Sequence, residues 1–252
     1  MPSSASSPSA SLSLSQIETR FRNRIWRGDA AGSLPDQVVS SGFDKLDKAL
    51  PGGGWPTGNL TELLLQAEGL GEVGLLSRTL GQVTRASRHI LLVSPPHMPY
   101  MLAWENLGID SQHIVMVRAH TPAERLWVLE QGIKSAAFGA IIGWLSGISH
   151  QATRKLQVIA RTVATLAFLF RPASARLEPS AAPLRILLDP ASQDALSHTL
   201  CLHLLKRRGM PAGLPIYLTL PLVLSPVLPE GLPDEPFIQP CLTPTTPILA
   251  HA

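Results

Sequence analysis

Cysteine is scarce in this 252-residue chain: only Cys201 and Cys241 occur, 40 residues apart and without metal-ligand spacing. Cys201 alternates with leucines and reads as a buried thiol in a strand. Cys241 falls in a Pro-rich tail and reads as incidental, so a reducing cytoplasm is the simplest compartment. Charge is sparse as well. Only 15% of residues are Asp, Glu, Lys or Arg, and 21 basic against 18 acidic side chains leave a formal +3. So mild a balance permits contact with nucleic acid without arguing for it. Long apolar runs are missing, and the longest uncharged stretches, such as 138–148, are too short to cross a bilayer. The opening MPSSASSPSASLSLSQ has neither the basic start nor the continuous apolar core of a secretory signal. What the chain does have is a 45% hydrophobic composition. At this length it predicts one well-filled α/β domain with covered sheet faces, plus flanking segments.

Residues 1–15 are expected to be a disordered, low-complexity leader. Leu14, Ile17, Phe21 and Ile25 then recur at helical spacing, with Arg20, Arg22, Arg24 and Arg27 on the remaining surface, which predicts an amphipathic helix over 14–26. From there strand and helix patterns alternate. Strands are predicted over 60–65, 89–93, 113–117, 140–144, 166–170 and 184–188, and helices over 73–85, 100–107, 122–135 and 151–163. Short apolar runs separated by such helices imply βαβ units and a mostly parallel sheet. Two further strands, 199–206 and 215–220, flank the Gly- and Pro-containing connection from Arg207 to Gly213, which favours an antiparallel hairpin. Beyond Leu220 proline recurs eight times with almost no charge, predicting an extended tail. The expected division is therefore 1–37, 38–220 and 221–252.

The first strand leads into Gln66-Ala67-Glu68-Gly69-Leu70-Gly71-Glu72-Val73-Gly74. A phosphate-binding loop at this place needs G-x-x-x-x-G-K-[ST] opening a helix, so that amides and a lysine hold phosphates and a hydroxyl holds Mg²⁺. With Gly71 as the second glycine, the first becomes Gln66, the lysine becomes Glu72 and the hydroxyl residue becomes Val73. A carboxylate in the place of an ammonium repels a triphosphate. Gly69, Gly71 and Gly74 remain, and backbone amides alone can form an anion nest, so residual nucleotide binding stays open as an alternative.

The layout Ser41-Gly42-Phe43-Asp44-x-Leu46-Asp47, then Gly52-Gly53-Gly54-Trp55-Pro56-x-Gly58, then Leu60-x-Glu62 resembles the entry into the core of RecA-type recombinases, and the likeness continues for about 150 residues. Within that group the chain is identified as a member of the ImuA family by Pro51-Gly52-Gly53-Gly54-Trp55-Pro56, Pro95-Pro96-His97, Phe168-Leu169-Phe170-Arg171-Pro172 and Lys206-Arg207-Arg208-Gly209. The resemblance implies a RecA-like α/β core of the P-loop NTPase type with a mostly parallel twisted sheet. It also implies a non-catalytic role in damage-induced, error-prone translesion synthesis. RecA and an ImuB-type polymerase-like protein are then the expected partners, with an error-prone C-family polymerase contacted indirectly.

Aligned on that resemblance, the further parts of an ATPase are altered too. Ser94-Pro95-Pro96-His97 stands where an acidic residue activates water, and Gly143 or Trp144 stands where an aspartate holds Mg²⁺. Arg171-Pro172 replaces a polar sensor of the γ-phosphate, although an arginine there could still meet a phosphate. No hydrolysis, cofactor or metal is therefore expected. The segments 145–151 and 173–183 are shorter than the DNA-gripping loops of RecA, so DNA binding is expected to be weak or indirect. In RecA-like proteins the segment ahead of the core docks on a neighbouring subunit, which assigns Ile17, Phe21 and Ile25 to partner binding. A helix packed on its own core is the bland alternative.

Lys206-Arg207-Arg208, with Arg154, Lys155, Arg161 and Arg185 elsewhere, forms the remaining basic group. It is read as solvated surface or as a contact for phosphate or an acidic partner. The eight histidines are scattered and read as structural. Two other functions stay in view: a cell-division inhibitor related to SulA, and an ATPase with a divergent loop.

Overall fold

The computed structural model describes residues 37–191, 198–207 and 213–221. The expected helix with Ile17, Phe21 and Ile25, the basic Arg208 and the tail beyond residue 221 lie outside the described residues. At the start, β1 (Val38–Val39) and β2 (Trp55–Pro56) form a small antiparallel clasp, with α1 (Asp44–Asp47) in the chain between them. Gly54 makes it possible, because a Cβ there would lie 2.5 Å from the Val39 carbonyl oxygen. The turn drops Trp55 into the core, fully buried and edge-on to Phe168 with ring centroids 5.4 Å apart.

The main sheet is built in chain order from β3 (Asn59–Leu65), α2 (Glu72–Arg85), β4 (His89–Val93), α3 (Met101–Asn106), β5 (Ile114–Val117), α4 (Pro122–Ser135), β6 (Phe138–Trp144), α5 (His150–Ala160), β7 (Leu166–Pro172), β8 (Leu184–Pro190), β9 (Thr199–Lys206) and β10 (Ile216–Thr219). Its eight strands run β10-β9-β8-β3-β7-β6-β4-β5. The six from β8 to β5 are parallel, whereas β9 is antiparallel to both β8 and β10. The mostly parallel sheet and its antiparallel hairpin thus stand as the sequence pattern predicts.

Alternation along β3 sets the layers. Leu63 and Leu65 face the core shared with α2 and Trp104 of α3, while Leu60 faces the core shared with α4 and α5. α4 begins where its residues dictate: Thr121 accepts from Glu124 N, Glu124 accepts from Thr121 N in return, and Pro122 occupies the first turn. α5 ends earlier than expected. Thr162 N and Val163 N reach back only to the carbonyls of Ile159 and Ala160, so the last residues close turns rather than another helical turn. Among the described residues no helix is long and apolar enough to cross a membrane.

Candidate functional site

The loop that joins β3 to α2 emerges at the carboxyl end of the strand lying between β7 and β8. Open α/β sheets place ligands outside such strand ends. Gly71 caps α2 in the left-handed region, at φ 91°, and no side chain caps the helix. Glu72 follows in the first turn. Its Oε1 accepts from Gly69 N at 3.3 Å, its side chain is buried with the residue 7% exposed, and Oε2 has no hydrogen-bond partner. A carboxylate at this end of a helix is favoured by the macrodipole and by the loop amide, as a phosphate would be. The position therefore carries an anion of the chain's own.

Apolar packing covers the same turn. Leu220, just beyond β10, is buried, and a Cβ on Gly71 would fall 2.7 Å from its Cδ1; one on Gly74 would fall 3.5 Å away. Val73 is half-buried against the main core, and Gln66 and Gly69 are exposed. Glu68 is exposed as well and meets His97 Nε2 at 3.3 Å, linking the loop to the segment after β4.

The other altered positions have structural partners. Ser94, with φ at 51°, accepts from Ala119 N at 2.9 Å, and its backbone amide donates to Val117 O. It thereby ties the end of β4 to the end of β5. A Cβ on Gly143 would meet the Leu129 methyls at 2.8 and 2.9 Å, so α4 fills the space a metal-holding carboxylate would need. Trp144 lies against Phe170, with ring centroids 5.1 Å apart.

The reading of Arg171 as a phosphate contact is corrected. Its side chain has no solvent exposure; NH1 meets Glu62 Oε1 at 3.3 Å and NH2 meets Glu178 Oε2 at 2.6 Å. Arg185, grouped with the surface bases on sequence, is also buried and gives Nε to Glu62 Oε2 at 2.7 Å and NH2 to Ala175 O at 2.7 Å. Ser180 Oγ donates to Glu62 Oε1 at 2.6 Å. Strand register brings this group together, since Glu62 lies opposite Leu169 on β7 and Arg185 on β8. The segment after β7 is pinned by these bonds. One signal in the sequence could have found them: a lone carboxylate in an apolar strand, matched by lone arginines in two others.

Of the remaining basic group, Lys155 pairs with Glu130 at 2.8 Å, Lys206 Nζ donates to Ser180 O, and Arg207 NH1 donates to Ala49 O. His203 Nε2 lies 3.4 Å from Cys201 Sγ and 3.3 Å from Asp189 Oδ2. Both partners share one ring nitrogen, whereas a nucleophilic relay needs the carboxylate on the nitrogen opposite the thiol. Among the described residues no group of three or more His, Cys, Asp or Glu could hold a metal ion.

No family model matches the chain. It is 29% identical over 132 residues to RecA of Rippkaea orientalis, covering 52% of this chain and 37% of that protein. It is 25% identical over 127 residues to a plasmid RecA of Lactococcus lactis, covering 50% and 37%. The cell division inhibitor SulA of Edwardsiella piscicida is 23% identical over 109 residues, 43% of this chain and 65% of that protein. The chain is distantly related to RecA and to SulA. It spans little more than a third of the length of these RecA proteins, and its sheet is compatible with a RecA-like core.

Proposed function

We propose that the chain is a non-catalytic, RecA-like accessory protein of damage-induced, error-prone translesion synthesis, of the ImuA kind, that bridges or modulates RecA and a mutasome polymerase complex. The observation that carries this reading is the loop before α2. Glu72 stands where a lysine would bind phosphate, its carboxylate takes up the Gly69 amide, and Leu220 packs on the turn. Gly143 and Arg171 add support, the first crowded by Leu129 and the second committed to Glu62. A scaffold altered at all these places at once is best explained by use of its surfaces rather than of a nucleotide. RecA and an ImuB-type Y-family polymerase-like protein are then direct partners, and an error-prone C-family polymerase an indirect one. DNA contact is weak or indirect, in keeping with the short connection after β6 and the pinned one after β7.

The test is co-purification of the full chain with purified RecA. The residues assigned to the contact are Ile17, Phe21 and Ile25. Burying such side chains is worth roughly 1.5–3 kcal/mol each, so losing one weakens a complex about tenfold or more. Phe21→Ala with Ile25→Ala should abolish RecA retention while the core stays folded. Normal RecA retention with lost affinity for single-stranded DNA would instead make Arg20, Arg22, Arg24 and Arg27 the working face.

A second reading, a SulA-like inhibitor of cell division, is favoured by the share of the relative that is matched, 65% of a SulA against 37% of a RecA. Filamentous growth on expression, with unchanged damage-induced mutagenesis on deletion, would select it.

A further inference from the structure

An open groove of about 280 Å³ lies between the turn into α1 and the edge strand β10. It is lined by Gly42, Phe43, Asp44, Lys45, Arg78 and residues 217–219. Arg78 builds its floor: the aliphatic stem lies where a Gly42 side chain would be, the guanidinium sits over the Phe43 ring 4.5 Å from the centroid, and NH1 donates to Gly42 O. Neither Lys45 nor Arg78 has a carboxylate partner among the described residues, and Asp44 offsets only one of the two charges. The Tyr217 side chain faces Cys201 across the strand pair, on the other side of the sheet, so β10 contributes its strand edge at residues 217–219 to the groove. The groove is thus a cationic slot over the Phe43 ring at the outer edge of the sheet.

The chain leaves this slot at its own end. Thr219 lines it, and Pro221 follows two residues later. From Leu222 onward the sequence holds Glu230, Asp234 and Glu235 and not one Lys or Arg. These three carboxylates fall within Pro229-Glu230-Gly231-Leu232-Pro233-Asp234-Glu235-Pro236-Phe237, which also offers Leu232 and Phe237 as apolar neighbours. Nine residues from Pro221 to Glu230 reach at most about 30 Å, several times the distance needed to fold back to Thr219. We infer that the acidic segment 229–237 docks in the groove of Lys45, Arg78 and Phe43 on the same molecule. Exposed ion pairs are individually weak. A short tether, however, supplies an effective concentration on the order of millimolar, so a contact of millimolar affinity is about half occupied.

Zero-length carbodiimide cross-linking of the full chain, read by mass spectrometry, tests this directly, because the sequence has only five lysines. Docking predicts an isopeptide between Lys45 and segment 229–237 that exceeds those from Lys134 and Lys155 about fivefold or more and collapses at high salt. Arg78→Glu should lower the Lys45 product severalfold while leaving that amine in place. Chymotryptic cleavage at Phe237 should accelerate in Lys45→Glu with Arg78→Glu. Adding Glu230→Lys, Asp234→Lys and Glu235→Lys should return it to the parental rate. Products spread evenly over the lysines, or cleavage indifferent to charge reversal, overturn the inference. Cross-links joining isotopically distinct copies overturn it too, by placing the segment on a second molecule.

Discussion

Glu62 is a carboxylate with no solvent exposure, and each of its oxygens is bonded, Oε1 to Ser180 and Arg171 and Oε2 to Arg185. Removing one partner of a buried pair strands the others, at a cost of about 3–5 kcal/mol. Arg171→Met should therefore lower Tm by roughly 10 °C or more in a thermal melt. A change within a degree or two would show that the group is solvated in practice. Gly143→Asp, which introduces a carboxylate there, should also destabilise by about 3 kcal/mol or more, because it meets Leu129 and buries an unpaired charge. Such roles were only partly legible. That Glu72 follows Gly71 where a helix begins is plain in the sequence, whereas the use of Arg171 depends on which strand lies beside which. That pairing joins residues 109 apart in the chain.

α4 illustrates an element whose limits the residues dictate, since Thr121, Pro122 and Glu124 spell its start. Thr121→Ala should cost about 1 kcal/mol, measurable by denaturant unfolding. The amides of Thr121 and His120 hold the Glu124 carboxyl below its ordinary value. Its contribution is therefore present above the unfolded-state pKa and fades as pH falls through the lower folded-state one. Glu124→Gln should remove that dependence from the acid limb of the stability profile. The parallel strands were equally legible, because short apolar runs bounded by polar turns and separated by helices leave few alternatives. The clasp of β1 and β2 was not, since two-residue strands carry no periodicity and Gly54 shows its purpose only against Val39. At the sheet's edge, Leu220 N donates inward to His198 O. Alternation then turns Tyr217 and Thr219 outward, flanked at the next outward positions by Pro215 and Pro221. Prolines there remove donors that a further strand would need. Replacing both with threonine should raise self-association in sedimentation, while the parent chain should not extend its sheet through β10.

At the scale of the whole molecule, the sheet is compatible with a RecA-like core, and the proposed function requires that the loop before α2 be filled by the chain's own atoms. Glu72 in the first turn of α2 and Leu220 just beyond β10 both pack on that loop. On the proposed function, Glu72→Lys with Val73→Thr alone should not create an ATPase, because neither Pro96 nor Gly143 supplies a catalytic acid or a metal carboxylate. Phosphate release by that double variant should stay at the buffer blank. Truncation after residue 221 should leave Tm nearly unchanged, since the contact inferred for segment 229–237 is weak, and on the proposed function it should lower retention of RecA or an ImuB-type partner. A large loss of stability would show that the tail packs on the core. The most direct test of the account is titration of the purified full chain with ATP and Mg²⁺ in a calorimeter, paired with phosphate release with and without single-stranded DNA. No saturable heat and no turnover are expected. Saturable binding or turnover that disappears in Gly71→Ala or changes with Glu72→Gln would contradict it.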